Sequence, residues 1–140
     1  MAVVGGLMWL ATRNVPAADF PLPARKAIAL GLAAVGVSVA VAGVVSFRIA
    51  KTTVNPLKPE TASSLVVSGI YHVTRNPMYL GALIVLIGWA AFLTNALAFV
   101  VASTFVLYLN RFQIVPEEKA LMARFGPEFA AYCAKVRRWF

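Results

Sequence analysis

Five side chains that can do chemistry cluster in the segment SGIYHVTRNPMYLG, residues 68–81, at the entrance to a long apolar stretch. They are Tyr71, His72, Arg75, Asn76 and Tyr79. Ionisable groups at membrane depth cost free energy, so they are functional-site candidates by default. Each also has a simpler role: Arg75 can anchor a helix end at lipid headgroups, tyrosines can form an interfacial belt, and Asn76 can cap a helix.

A second polar group follows the same apolar stretch, in the segment NRFQIVPEE at residues 110–118. It contains Arg111, Glu117 and Glu118, and Tyr108 comes just before it. An Arg and a Tyr at this place can equally mark the membrane interface, and two glutamates suit the first turn of a helix. Whether the two groups form one site depends on the elements that position them.

Membrane-spanning helices are the elements that the composition predicts. Of the 140 residues, 61% are hydrophobic and 13% are charged, whereas soluble domains are about 25% charged. Residues 27–47 and residues 77–110 contain no charged side chain. Because a span needs about 20 residues, the first stretch predicts one helix. The second predicts two helices, which turn near Thr94 and Asn95.

We predict an all-α fold, an integral membrane helical bundle with about four transmembrane helices and an amphipathic helical tail on the cytoplasmic face. The helices are expected at about residues 2–11, 24–50, 77–93 and 95–115. The first is expected to be short or tilted, with an interfacial segment as the alternative. Gly31, Gly36 and Gly43 in the second helix would let neighbouring helices approach closely.

Local signals set the expected boundaries of these elements. Asn76 can cap the third helix, with Pro77 as its first residue, where the missing N–H costs nothing. Pro116 marks the start of the tail, and Gly126-Pro127 interrupts it. Residues 51–76, with several Pro, Ser and Thr, are expected to form an ordered, non-helical connector.

The distribution of charge predicts the orientation. Ten of the 13 Lys and Arg lie either between residues 48 and 75 or after residue 110, and the turn at 94–95 carries none. This positive-inside pattern places both basic segments in the cytoplasm, in the inner membrane if the host is bacterial. Anionic lipid headgroups are the expected counter-charge for the net +8, and no nucleic-acid partner is indicated. A single Cys and a single His predict no metal site.

The third and fourth helices are joined by a very short turn, which predicts an antiparallel hairpin. The start of the third and the end of the fourth then lie on the same side of the membrane, close together. The side chains that this brings into one neighbourhood are Arg75, Tyr79, Arg111, Glu117 and Glu118.

The segments SSLVVSGIYHVTRNPMYLG and EEKALMARFGPEFAAYCAKVRRWF, with the hairpin between them, resemble the isoprenylcysteine carboxyl methyltransferase family, part of a wider group that includes phospholipid N-methyltransferases. The matching residues are Gly69, Tyr71, Arg75, Pro77, Tyr79, Gly81, Glu117, Glu118, Phe125, Gly126 and Tyr132. The resemblance covers about residues 51–140. Many members have His where this chain has Asn76, so a proton-transfer role of that His is not carried over.

The resemblance implies one integral membrane methyltransferase domain over residues 1–140, with membrane helices in 1–50 and the catalytic hairpin and tail in 51–140. It implies S-adenosylmethionine as cofactor, in a pocket that faces the cytoplasm. By analogy the cofactor-binding residues are His72, Arg75, Asn76, Pro77, Tyr79, Leu80, Tyr108, Glu117 and Glu118. The expected catalytic residues are Arg75, Glu117 and Tyr79, and the expected substrate contacts are Arg111 and Tyr71.

The implied roles agree with the chemistry of these groups. A glutamate can accept hydrogen bonds from the cofactor's ammonium or ribose, and a tyrosine ring can face its sulfonium. Arg75 can pair with a carboxylate of the cofactor or of the substrate. The expected methyl acceptor is a lipidic or small hydrophobic molecule, and membrane lipids are the expected surroundings.

Carboxyl O-methylation of an isoprenylcysteine-like substrate is the favoured reaction, since a carboxylate is already ionised and needs no base. Phospholipid N-methylation and thiol S-methylation are the alternatives, and both need a proton removed. Two readings of another class stay open at this level: an NADPH-dependent sterol-type reductase and a non-catalytic membrane module.

Overall fold

The chain folds as a series of helices. This computed structural model describes residues 1–15, 19–50 and 64–140, and these residues contain no strand. The α-helices are Ala2–Asn14 (α1), Arg25–Ile49 (α2), Pro77–Leu93 (α3), Ala96–Leu109 (α4) and Val115–Lys135 (α5). A 3-10 turn, Gly69–His72, precedes α3, and a π turn, Asn110–Ile114, joins α4 to α5. The predicted all-α class is confirmed; residues 51–63 of the expected connector lie outside the described residues.

Two helical segments are long and apolar enough to cross a membrane, Arg25–Ile49 and the continuous helix Ala96–Lys135. Helix α3 is strongly apolar but has 17 residues. Helix α1 has 13 residues, which at 1.5 Å per residue reach about 20 Å of a hydrocarbon core about 30 Å thick. The expected bundle of four apolar helices is therefore present, and two of its segments have full spanning length by themselves.

Only the first part of Ala96–Lys135 belongs to the apolar layer. The whole segment has 40 residues, or about 60 Å, twice the thickness of the hydrocarbon core. Residues 96–115 contain one charged side chain, Arg111, whereas α5 is rich in charge. The span therefore ends near residue 115, and Glu117 lies beyond it.

The two ends of the α3–α4 turn follow the local signals in the sequence. Helix α3 begins at Pro77 and ends at Leu93, and Thr94 reverses the chain with a left-handed φ of 51°. The Asn95 side-chain Oδ1 then accepts a hydrogen bond from the Leu97 N–H at 2.9 Å, which caps α4 as expected.

The start and interior of α5 differ from a simple helix. Ile114, the residue before α5, has helical backbone angles, so α5 continues from the π turn and has no free N-terminus. A proline inside a helix cannot donate to the carbonyl four residues back, and the π turn ends two residues before Pro116. Gly126 interrupts α5 with φ 47° and ψ −119°, in the region that favours glycine. The expected interruption is present, and the helix resumes to Lys135.

The chain divides into two compact units. The first consists of Met1–Ser38 and Gly81–Tyr108. Its buried core residues are Met8, Leu86, Ala90, Ala98 and Ala102. Asn95 is fully buried there, and its amide donates to the Val15 carbonyl at 2.9 Å and to Asp19 Oδ1 at 2.6 Å.

The second unit consists of Val39–Leu80 and Leu109–Phe140. Its buried core residues are Val66, Tyr71, Phe129, Tyr132 and Val136. The Tyr132 hydroxyl donates to the Tyr71 carbonyl at 2.8 Å, which joins α5 to the turn before α3. This unit contains the polar side chains of the candidate site.

Candidate active site

A cleft in the second unit collects the polar groups that the sequence places at the start of α3 and the start of α5. It encloses about 660 Å³ of space, part of it open to solvent. Its polar lining side chains are Ser64, Tyr71, Arg75, Asn76, Tyr79, Glu117, Glu118 and Tyr132. Its apolar lining side chains are Phe47, Leu65, Val66, Met78, Ile114, Leu121 and Phe129. A few polar groups in a mainly apolar concave wall are typical of small-molecule sites.

Tyr79 and Glu117 meet across the cleft. Each is the third residue of its helix, α3 and α5 respectively. The Tyr79 hydroxyl donates to Glu117 Oε2 at 3.1 Å. The short α3–α4 turn predicts that these two helix ends are close, and this hydrogen bond shows that they are.

The carboxyl group of Glu117 is electrostatically unusual. Its pKa is raised to about 7, mainly by burial; the hydrogen bond from Tyr79 opposes the rise, and the neighbouring negative charge of Glu118 adds to it. Desolvation penalises the charged form of a carboxyl group. Near neutral pH this group therefore exists in both protonation states, as is common in functional sites.

Glu118 holds two arginines together. Its Oε1 lies 3.2 Å from Arg75 Nη2. Arg138 approaches the same carboxylate with two nitrogens, Nε at 3.1 Å from Oε1 and Nη2 at 2.6 Å from Oε2. The hydrogen bond to Glu118 raises the pKa of Arg138. One carboxylate thus fixes both guanidinium groups, and the fork-to-fork contact with Arg138 is the geometry that makes such pairs directional.

Arg75 also has contacts on its other side. Its Nη1 donates to Cys133 Sγ, and its backbone N–H donates to the Arg137 carbonyl at 3.1 Å. The side chain is only 15% exposed. Its Nε is buried without a hydrogen-bond partner among the described residues. Buried donors are nearly always paired, so this N–H is free for a partner from outside the described residues, such as a bound ligand.

The phenols of Tyr71 and Tyr132 stay neutral. Burial is the main cause that raises both pKa values, and for Tyr132 the nearby Arg75 partly opposes it. Tyr71 is 5% exposed and Tyr132 is 9% exposed. Both therefore act as hydrogen-bonding walls of the cleft and not as proton acceptors.

Asn76 lines the cleft and connects it to the C-terminal residues. Its amide Nδ2 donates to the Arg138 carbonyl at 3.0 Å. The Thr74 hydroxyl donates to the same carbonyl at 3.3 Å and accepts from the Asn76 backbone N–H at 3.2 Å. The amide at position 76 therefore fastens the turn before α3 to the end of the chain.

Five residues expected at the site do not line this cleft. Pro77 and Leu80 are buried in the first turn of α3. His72 is exposed and borders a separate depression on the same unit, with Glu128 and Lys135. Tyr108 is 60% exposed. Arg111 is also exposed, with its guanidinium carbon 6.0 Å from the centre of the Phe112 ring.

Sequence reasoning missed Arg138 and Cys133, both of which contact the polar side chains of the cleft. In the sequence, Arg138 is one of the basic residues that follow the last span. No local signal in the sequence places either residue at the cleft, because both contacts join residues far apart in the chain.

Comparison with known proteins gives the family. The model of the phospholipid methyltransferase family matches residues 24–128, three quarters of the chain. An uncharacterized protein of Haemophilus influenzae is 45% identical over 62 residues, which cover 44% of this chain and 98% of that protein. No solved structure matches the chain.

The matched range contains Arg75, Tyr79 and Glu117, three of the polar side chains that line the cleft. The resemblance drawn from the sequence motifs is confirmed at the level of this wider family. The chain belongs to the phospholipid methyltransferase family and is a membrane methyltransferase.

Proposed function

We propose that this chain transfers a methyl group from S-adenosylmethionine to a lipidic acceptor, with the cofactor held in the cleft between α3 and α5. The site faces the cytoplasm, as the distribution of basic residues favours. One observation carries the proposal: an apolar cleft at the end of the membrane spans contains a partly buried carboxyl group, Glu117, and a partly buried guanidinium, Arg75. The Arg75 Nε–H has no partner among the described residues.

The cleft suits the groups that this cofactor carries. S-adenosylmethionine has an α-ammonium, a carboxylate, ribose hydroxyls and a sulfonium, so its site must offer partners of both signs. Glu117 offers an acceptor for the ammonium or the ribose, and Arg75 offers a donor for the carboxylate.

The residues of the cleft align the reactants and exclude water. When bound, the cofactor supplies a methyl group that moves to the acceptor atom while its sulfur keeps the electron pair of the broken C–S bond. Phe47, Met78 and Phe129 provide an apolar wall, which keeps water from competing for the methyl group. Fixed partners such as Tyr79 and Glu117 restrict the orientation of what they bind, which is the main source of rate in such a displacement.

A carboxylate of an isoprenylcysteine-like lipid is the acceptor that we propose, because it is ionised at neutral pH and needs no base. The electrostatics of Glu117 favour a second candidate, the amine of a phospholipid headgroup. An amine must lose a proton before it attacks, and a base is most effective when its pKa is near the working pH. Glu117, with a pKa of about 7, meets that condition.

Replacement of Glu117 by glutamine should abolish most of the cofactor affinity. The change keeps the size of the side chain and removes its charge, and a hydrogen bond to a charged group is worth about 1.5–3 kcal/mol. We therefore expect at least a tenfold weaker binding of S-adenosylhomocysteine, measured by calorimetric titration in detergent. Glu128→Gln, the same change at an exposed position of α5, should bind like the wild type. Equal affinity in Glu117→Gln and Glu128→Gln would contradict the proposed site.

Cofactor affinity should also rise with pH. The charged form of Glu117 is the one that accepts from the ammonium or ribose, and with a pKa of about 7 it is mostly lost at pH 6 and mostly present at pH 8. By linkage, binding of S-adenosylhomocysteine should strengthen about tenfold from pH 6 to pH 8 and then level off. The measurement is a titration at each pH with wild type and Glu117→Gln. A rise of equal size in the variant would assign the titration to another group.

A further inference from the structure

The residues that follow α5 form a strap that is hydrogen-bonded to residues of the cleft. Helix α5 ends at Lys135, and Val136 turns the backbone into an extended conformation. Residues 136–139, the C-terminal strap, then offer carbonyl oxygens to the turn before α3. The Arg137 carbonyl accepts from the backbone N–H of Arg75, and the Arg138 carbonyl accepts from the side chains of Thr74 and Asn76.

The strap has a second attachment at the π turn. The Trp139 indole N–H donates to Asn110 Oδ1 at 3.2 Å. The strap therefore connects the turn before α3, the first turn of α5 through Arg138 and Glu118, and the π turn. The first two segments carry Arg75, Asn76, Glu117 and Glu118 of the cleft, and the π turn carries Ile114 of its apolar wall.

Arg138 itself is not part of the cleft wall. It contacts Glu118 through two nitrogens in a planar fork, and this geometry fixes the plane of the carboxylate. Glu118 Oε1 then contacts Arg75 Nη2 at 3.2 Å. The orientation of Arg75, whose Nε has no partner in the part of the chain that the structure describes, thus depends on a carboxylate that Arg138 holds in place.

We propose that Arg138 is a positioning residue, which through Glu118 keeps Arg75 oriented toward the carboxylate of the bound cofactor. The inference rests on the proposed function, in which Arg75 pairs with that carboxylate. Arg138 lies beyond the range matched by the family model, which ends at residue 128. Its role follows from the hydrogen bonds of this chain alone.

The test compares two ligands that differ by one group. S-adenosylhomocysteine carries the α-carboxylate, and its decarboxylated analogue lacks that group but keeps the amine, ribose and adenine. Both are titrated by calorimetry into detergent-purified full-length protein, as wild type, Arg138→Gln and Arg138→Lys. Arg137→Gln is the matched control, because it removes the same charge at the adjacent position from an exposed side chain.

In the wild type, S-adenosylhomocysteine should bind more tightly than the analogue. Arg138→Gln should weaken S-adenosylhomocysteine about tenfold, as expected for the loss of one oriented, charge-assisted contact, and change the analogue less than twofold. Arg138→Lys keeps the charge and loses the fork, so it should resemble Arg138→Gln. Arg137→Gln should bind both ligands like the wild type.

The other outcomes overturn the proposal in distinguishable ways. Equal weakening of both ligands in Arg138→Gln would show that Arg138 has only a structural role. Full affinity in Arg138→Lys would show that the charge at this position matters and the fork geometry does not. Equal affinity of the wild type for both ligands would show that Arg75 does not bind the carboxylate of the cofactor, although the cofactor still binds to the protein. A folded wild type that binds neither ligand would contradict the proposed function itself.

Discussion

Replacement of Arg75 by glutamine should reduce methyl transfer about a hundredfold or more. The Arg75 side chain is 15% exposed, lines the cleft and has a buried Nε without a partner among the described residues. A charge-assisted hydrogen bond in such a place is worth about 1.5–3 kcal/mol, and 2.7 kcal/mol is roughly a factor of one hundred in rate. Loss of alignment of the cofactor adds to the loss of affinity.

The fold should survive this change. Removal of one partner of a buried ion pair is costly when the other charge is left alone. Here Glu118 keeps the two contacts from Arg138, at 3.1 Å and 2.6 Å. The backbone N–H of residue 75 keeps its bond to the Arg137 carbonyl. The thermal midpoint of Arg75→Gln should therefore stay close to that of the wild type, whereas its activity falls.

The assay follows a labelled methyl group from S-adenosylmethionine into isoprenylcysteine and phospholipid acceptors. Label that mild base releases is a methyl ester, and label that resists base is an N-methyl group, so one assay separates the two candidate acceptors. Arg124→Gln, an exposed arginine of α5, is the matched control and should keep full activity. Unchanged transfer in a folded Arg75→Gln would show that the cleft is not the catalytic site.

Much of the architecture follows from rules that act over a few residues. Pro77 begins α3 because its missing N–H costs nothing there, and Asn95 caps α4 through a side-chain bond to the Leu97 N–H. Because the turn between α3 and α4 is so short, Tyr79 and Glu117 meet at 3.1 Å. The ends of the hairpin, and hence the place of the cleft, are predictable from the sequence.

The direction in which a side chain leaves a helix is less predictable. Tyr108 and Arg111 are close to Glu117 in sequence, yet both are exposed and neither lines the cleft. The π turn Asn110–Ile114 separates α4 from α5. A π turn adds a residue to one turn of the helix, so it changes which positions share a face.

The C-terminal strap follows from no local rule at all. Arg138 contacts Glu118, 20 residues earlier, and its carbonyl accepts from Asn76, 62 residues earlier. The sequence shows only two arginines after a helix, which suit the cytoplasmic face of any membrane protein. Their use depends on the chain folding back over α5, and this return is a tertiary feature.

The sequence also does not predict which glycines of α2 are needed for close helix packing. Gly31, Gly36 and Gly43 look equivalent in the sequence, and all three could allow close helix contact. In the structure, a Cβ added at Gly43 would lie 3.0 Å from Pro77 Cγ, and one added at Gly31 would meet nothing within 4 Å. Only the packing of the folded chain distinguishes a glycine that is needed from one that is not.

Gly36→Ala should destabilise the protein by about 1 kcal/mol net, because overpacking costs about 2 kcal/mol and alanine, the better helix former, returns about 1 kcal/mol. A Cβ at this position would lie 2.6 Å from the Gly81 carbonyl oxygen and 2.8 Å from Val85 Cγ2. The first contact is with backbone, so helices α2 and α3 must separate locally, and this cost exceeds the gain of about 1 kcal/mol from the better helix former.

Gly31→Ala makes the same substitution in the same helix, where a Cβ has open space. It should leave stability unchanged or raise it by up to about 1 kcal/mol, since alanine restricts the unfolded chain and favours the helix. The two variants should therefore shift the thermal midpoint in detergent in opposite directions, or one downward and the other not at all. A similar shift in both would show that α2 and α3 do not approach closely at Gly36.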